Sequence, residues 1–128
     1  MAHAAIEVLT GWSAADKRRL LEAVRKALCV SLQVPDDDPA VQITEHEPHS
    51  MIVPPRHSNR YTMVVVTMFK GRTEATKRKL YASLADELGQ VGVPSGDVQV
   101  IVHEPPVGNW SLNGIPATDA DLGFNINI

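Results

Sequence analysis

"MFKGRTEATKRKLYASL", residues 68–84, restates a phrase already present at residues 8–24, "VLTGWSAADKRRLLEAV". With the two aligned, Gly71 falls on Gly11, Lys77 on Lys17, Arg78 on Arg18 and Leu80 on Leu20. Only the second copy places cations beside the glycine: Lys70 and Arg72 stand where the first has Thr10 and Trp12. The echo continues downstream, where "VPDDDPAVQITEHEP" (34–48) answers "VPSGDVQVIVHEP" (93–105). Small loop deletions account for the drift in offset between these blocks. A unit near half the chain, present twice, is a duplication rather than a solenoid array.

Each copy parses alike. "HAAIEVLT" alternates apolar and polar residues as a half-buried strand does, and "RYTMVVVTMF" is a β-branched run suited to a buried central strand. Ser13 and Thr73 follow at helix N-cap positions, where a hydroxyl accepts from a free backbone N–H. Apolar residues at 20, 21, 24, 27, 28 and 32, and at 80, 81, 84 and 88, place one apolar stripe on each helix. The runs "DKRR" and "TKRK" read as solvated helix surface. "AVQITEH" and "VQVIVHE" supply a second strand to each unit.

The predicted fold is therefore α/β (α+β), a tandem β-α-β repeat. A right-handed crossover makes the strands within a unit parallel. Two units side by side give a four-stranded sheet with both helices on one face. The other face has no helix left to cover it, so subunit packing is the expected cover and the protein is expected to be oligomeric. Residues 1–128 read as a single domain, with repeats at 2–53 and 61–108 and a C-terminal hairpin or strand over 109–128. In that tail, Asn113-Gly114 signals a turn, and "FNINI" alternates like a strand that reaches across a subunit boundary.

Composition narrows the functional classes. With 44% hydrophobic residues and a net charge of −3, the chain has no basic stripe for general nucleic-acid binding. No run has the ~20 apolar residues of a membrane span, and no secretory signal layout opens the chain. The single Cys29 has no disulfide partner and sits in an apolar helical pattern as a small buried hydrophobe. A reducing cytoplasm is the expected location. The segment "EHEPH" and His57 and His103 lack paired metal-ligand spacing, so no metal is expected. There is no Gly-rich phosphate loop, and nothing in the sequence calls for a cofactor.

The cation pair has two readings. Lys70 and Arg72 close the second unit's central strand, two residues apart, just before a helix start with its free N–H groups and positive dipole end. Together they make a seat for a small carboxylate, or they are two solvated charges on a turn. Arg56, His57 and Arg60 lie in the linker "VPPRHSNRY", which reads as solvated chain after Pro54-Pro55, with the border of a pocket as the alternative. Trp110 is either buried packing or the wall of a ligand cavity.

The duplicated unit with a glycine at its strand-to-helix corner resembles the tautomerase superfamily, and within it the fused-length malonate semialdehyde decarboxylase group. The likeness rests on "VLTGWSAADKRRLLEAV", "VPDDD", "TEHEPHSMIV", "KGRTEATKRKLY" and "NWSLNG". It implies a homotrimer around a barrel-like centre. Arg72 matches an arginine that holds the substrate carboxylate in that family. Lys70 takes the place of a second arginine, keeping charge but losing bidentate geometry. Asp38 matches an aspartate thought to assist the chemistry, and Trp110, Leu112 and Phe124 fall where the family builds an apolar wall. The family's N-terminal proline, exposed by loss of methionine, is replaced here by Ala2. A primary amine at Ala2 is a weaker base for this role, or forms an imine with a carbonyl. The resemblance thus implies weak or altered tautomerase or decarboxylase activity on a small oxo- or enol-carboxylate. The alternatives are an inactive trimeric carboxylate binder and a purely structural protein.

Overall fold

The structure is a computed structural model that describes residues 1–128. Strand β1 (Ala2–Leu9), helix α1 (Ala14–Leu32) and strand β2 (Ala40–His46) form the first unit. Strand β3 (Thr62–Met68), helix α2 (Glu74–Gln90) and strand β4 (Val98–His103) form the second. The sheet order is β2-β1-β3-β4. β1 is parallel to β2, and β3 to β4, while β1 and β3 run antiparallel at the centre. The expected four-stranded sheet with two helices is thus present, with the β-branched run of β3 in a central position.

Period-2 alternation sorts the side chains of the two central strands. Ala2, Ala4, Ile6 and Val8 of β1, with Val64, Val66 and Met68 of β3, have no solvent exposure and share one core cluster with the helices. Leu20, Val24, Ala27, Leu28 and Leu32 come to that cluster from α1, and Leu80, Leu84 and Leu88 from α2. These follow the expected stripes, except that Tyr81 turns outward and is exposed. Cys29 is buried, its thiol directed at the Pro35 carbonyl oxygen. Burial raises the thiol's pKa, which leaves it a weak nucleophile.

Both helices start where the hydroxyls predict. Ser13 Oγ accepts from the Asp16 N–H, and Thr73 Oγ1 from the Thr76 N–H. The aligned lysines also act alike: Lys17 Nζ lies 2.8 Å from Glu45 Oε1, and Lys77 Nζ lies 2.6 Å from Glu104 Oε1. Each pins its helix start to the end of its unit's second strand, so these two positions are not free solvated surface.

The opposite sheet face is only half-covered by the chain itself. Ala5, Leu9, Met63 and Val65 are intermediate in exposure, and Ile101 is exposed. Beyond β4, a two-residue hairpin forms from β5 (Ser111–Leu112) and β6 (Ile115–Pro116), turned by Asn113 and Gly114 with positive φ. Residues 124–128 make no strand within this chain. Instead the Ile128 carbonyl oxygen docks on the start of α2, accepting from the Thr73 N–H, Thr73 Oγ1 and Thr76 Oγ1. One backbone N–H and two hydroxyls at the helix start thus satisfy an acceptor that would otherwise face solvent.

Candidate active site

Strand register brings distant residues to one corner. Ala2 pairs with Met68, so the start of β1 lies beside Phe69–Arg72 at the end of β3. His3 pairs with Ala40 on the other side, which sets Asp38 next to the same end of β1. The Ala2 N–H donates to Asp38 Oδ2 at 3.0 Å, and the Met1 α-amine lies 3.7 Å from Asp38 Oδ1. The free amine therefore belongs to Met1, while the nitrogen of Ala2, an amide here, is the atom bonded to Asp38.

Charge and burial act together at this corner. Burial lowers the Met1 amine from its ordinary 8.0 to about 6; the Arg72 charge adds to the fall, and Asp38 opposes both. At neutral pH the amine is mostly unprotonated, as a general base should be. Arg72 is 5% exposed, the only buried lysine or arginine of the chain. Its Nη1 donates to the Phe69 carbonyl oxygen at 3.4 Å, and its Nε is buried with no partner. Burial pulls the guanidinium's pKa down, against the charges of Asp38 and Glu104, yet guanidinium remains a cation at any working pH. A buried donor without an acceptor costs about 1–3 kcal/mol, so an anion that reaches Nε is favoured.

Aromatic side chains close over this cation. Phe69 packs on Trp110 with ring centroids 4.7 Å apart and on Phe124 at 6.3 Å, while the Arg72 guanidinium carbon lies 5.7 Å from the Phe124 ring. Trp110 is fixed from its other edge, its Nε1 donating to the Pro105 carbonyl oxygen. In front lies a cavity of about 530 Å³ lined by Met1, Asp38, Leu112 and Phe124 among others. Of the residues singled out in the sequence, Asp38, Leu112 and Phe124 line the cavity, while Ala2 and Arg72 are buried at the same corner and do not line it. Trp110 stands behind Phe69 and does not line the cavity. Lys70 is exposed and contacts no carboxylate at ion-pair distance; its backbone N–H donates to the Pro105 carbonyl oxygen. The start of α2 is held by Ile128, which leaves Arg72 as the group of the cation pair that faces the corner.

The repeat creates an equivalent corner at the start of β3, and there the chain fills it. Asp97, aligned with Asp38 in "VPSGD" and "VPDDD", is buried. It accepts from the Ser58 N–H at 3.0 Å and from the Ser58 hydroxyl, and lies 3.3 Å from His57 Nδ1. These bonds, the Ser58 hydroxyl first, hold the Asp97 carboxyl below its usual range. His57 also stacks edge-on against Tyr61, so this part of the linker is packed rather than solvated. Arg60 lies 4.4 Å above the ring of Trp12, the residue aligned with Arg72. The alignment of the repeats is the sequence signal that marks Asp97 as the counterpart of Asp38.

Comparison with known proteins identifies the family. Residues 38–113 match the family described as tautomerase enzyme. A probable tautomerase of Ralstonia nicotianae is 34% identical over 59 residues, 45% of this chain and 84% of that protein. Among solved structures, Pt0534 inactivated by 2-oxo-3-pentynoate is 27% identical with a TM-score of 0.83, covering 91% of this chain and 96% of that one. FG41 malonate semialdehyde decarboxylase inhibited by 3-bromopropiolate is 26% identical with a TM-score of 0.76, covering 90% and 92%. A fused 4-OT solved as a symmetric trimer shares the fold at 23% identity and a TM-score of 0.82, covering 91% and 96%.

Proposed function

The chain belongs to the tautomerase family, and we propose that it binds a small oxo- or enol-carboxylate at the Met1, Asp38 and Arg72 corner. Its tautomerase or decarboxylase-type activity is weak or altered because Ala2 stands where the family's N-terminal proline is expected. The observation that carries this reading is the half-buried amine with a pKa of about 6, beside Asp38 and a buried arginine that has an unpaired Nε. Arg72 anchors the carboxylate. The amine takes the enol hydroxyl proton as the carbonyl forms, and the resulting ammonium, held by Asp38, returns a proton to carbon. Lys70 adds long-range attraction for an anion. Trp110, Leu112 and Phe124 exclude water, by lining or by backing the wall.

Likeness to malonate semialdehyde decarboxylase supports placing the chain with the fused-length members, as one domain made by duplication. A homotrimer is the proposed assembly. It would cover the half-open sheet face, and Ile52, a 96% exposed apolar side chain in the linker region, gives a neighbour something to hold. If Met1 is removed, the Ala2 nitrogen becomes the amine at the atom now 3.0 Å from Asp38. A second reading, binding without turnover, is favoured by the cover of Phe124 over Arg72 and by the displacement of the amine by one residue.

An ultraviolet assay of enol-to-keto conversion, run on the native chain and on Ala2→Pro with intact mass recorded, separates these readings. Turnover by processed Ala2→Pro above the native rate supports an intact pocket with an altered base. Inactivity of both, with no carboxylate-induced shift in melting temperature, overturns the site. Arg72→Ala should abolish that shift, and Arg56→Ala should not.

A further inference from the structure

Resting on the carboxylate-site reading above, we infer that the cavity selects substrates with one carboxylate and a neutral or cationic far end, and that Asp37 and Asp121 enforce this choice. Besides Asp38, the cavity wall carries both of these carboxylates, together with Ser111 and Asn113, and neither lysine nor arginine lines it. Asp38 is offset by the charge of Arg72 and accepts from the Ala2 N–H. Asp37 and Asp121 have no such partner: neither lies within ion-pair distance of a cation. Asp121 is also held in place, its Oδ1 accepting from the Gly123 N–H at 3.0 Å.

Arg72 lies behind Phe124 and off the cavity wall, so a ligand whose carboxylate reaches it past Phe124 leaves its remainder in this space. A second carboxylate there meets two uncompensated like charges and no cation to receive it, which is discrimination by repulsion. A hydroxyl or amide end finds the Ser111 hydroxyl and the Asn113 amide as hydrogen-bonding partners. Both aspartates reach solvent, so the preference should be largest at low ionic strength and shrink as salt is added.

Two five-carbon probes isolate the effect: 2-oxopentanoate and 2-oxopentanedioate, which differ in the distal carboxylate. Their affinities for the full chain are measured by calorimetry at low and high salt. The same titrations are made on the Asp37→Asn/Asp121→Asn double variant and on Arg72→Ala. Asparagine keeps side-chain size and the Gly123 acceptor, and the melting temperature checks the fold. The expected result is a preference of about tenfold or more for the monocarboxylate. It should fall below about threefold in the double variant and narrow with salt, as screening requires. Equal binding of both probes by the native chain, or a preference that survives in the double variant, overturns the inference while the carboxylate site stands. If neither probe binds, or binding ignores Arg72→Ala, the carboxylate site itself fails and the inference goes with it.

Discussion

Replacing Asp38 by asparagine removes the one carboxylate within ion-pair reach of the Met1 amine. In the native chain that amine titrates at about 6 rather than 8.0, with burial as the leading cause and Asp38 as a counterweight. Without the counterweight, the amine's pKa must fall further. The two groups are 3.7 Å apart, worth about 1 kcal/mol in bulk water and roughly 4 kcal/mol at an effective dielectric constant of 20. The Met1 side chain is 40% exposed, so screening holds the interaction near the lower figure, about one pKa unit. Competitive acetylation with acetic anhydride across pH, read by mass spectrometry of the N-terminal peptide, gives both midpoints. The native amine should titrate near 6 and the variant about a unit lower. A variant midpoint that is unchanged or higher refutes the role assigned to Asp38. A native midpoint near 8.0 refutes the burial argument beneath it.

Further outcomes follow from the same structure. Between pH 6 and 8 the unfolded amine binds more protons than the folded one, so stability rises with pH across that window, is complete above it and is lost as pH falls through 6. After discounting for exposure, the slope should total about 1 kcal/mol, and N-terminal acetylation should remove it from urea-unfolding curves. Leu28→Ala, at a position with no exposure in the core cluster, should cost about 3 kcal/mol by the same measurement. Gly71 and Gly11 both have φ in the left-handed region, at 141° and 125°, but an added Cβ at Gly71 would lie 2.9 Å from the Ile126 carbonyl oxygen and one at Gly11 meets nothing within 4 Å. Gly71→Ala should therefore cost about 1 kcal/mol more than Gly11→Ala and raise amide exchange over 124–128, where Gly11→Ala leaves it unchanged. Asp97→Asn should increase proteolytic nicking of the 54–61 linker. It should also flatten the acid limb of stability, because the native carboxyl's contribution is present above its ordinary 3.8 and lost as pH falls through its lower folded value.

Much of the architecture was readable because it depends on local periodicity. The β-branched run at 62–68 and the stripe at 20, 24, 27 and 28 allow few alternatives once apolar area must leave water. Ser13 and Thr73 marked the helix starts because their hydroxyls meet a need of the nearest backbone. Arg72 and Asp38 could be singled out from the repeat and from family likeness, but their proximity could not. It follows from two strand registers, Ala2 with Met68 and His3 with Ala40, which bring together residues far apart in the chain.

Tertiary structure alone decided what the two halves of the duplication do. Lys70 and Arg72 are two residues apart and look equivalent in sequence, yet Arg72 is buried under Phe124 and Lys70 faces solvent. The difference comes from which side of the Gly71 corner meets the tail. Likewise, "VPSGD" and "VPDDD" differ little as text, but Asp97 is consumed by Ser58 and His57 while Asp38 faces an amine and a cavity. Local pattern determined the strands, helices and caps, because short-range backbone and side-chain preferences act within a turn or a pleat. The pairing of strands and the path of the linker and tail decided which corner stays open, because burial and charge depend on neighbours the chain meets only after folding.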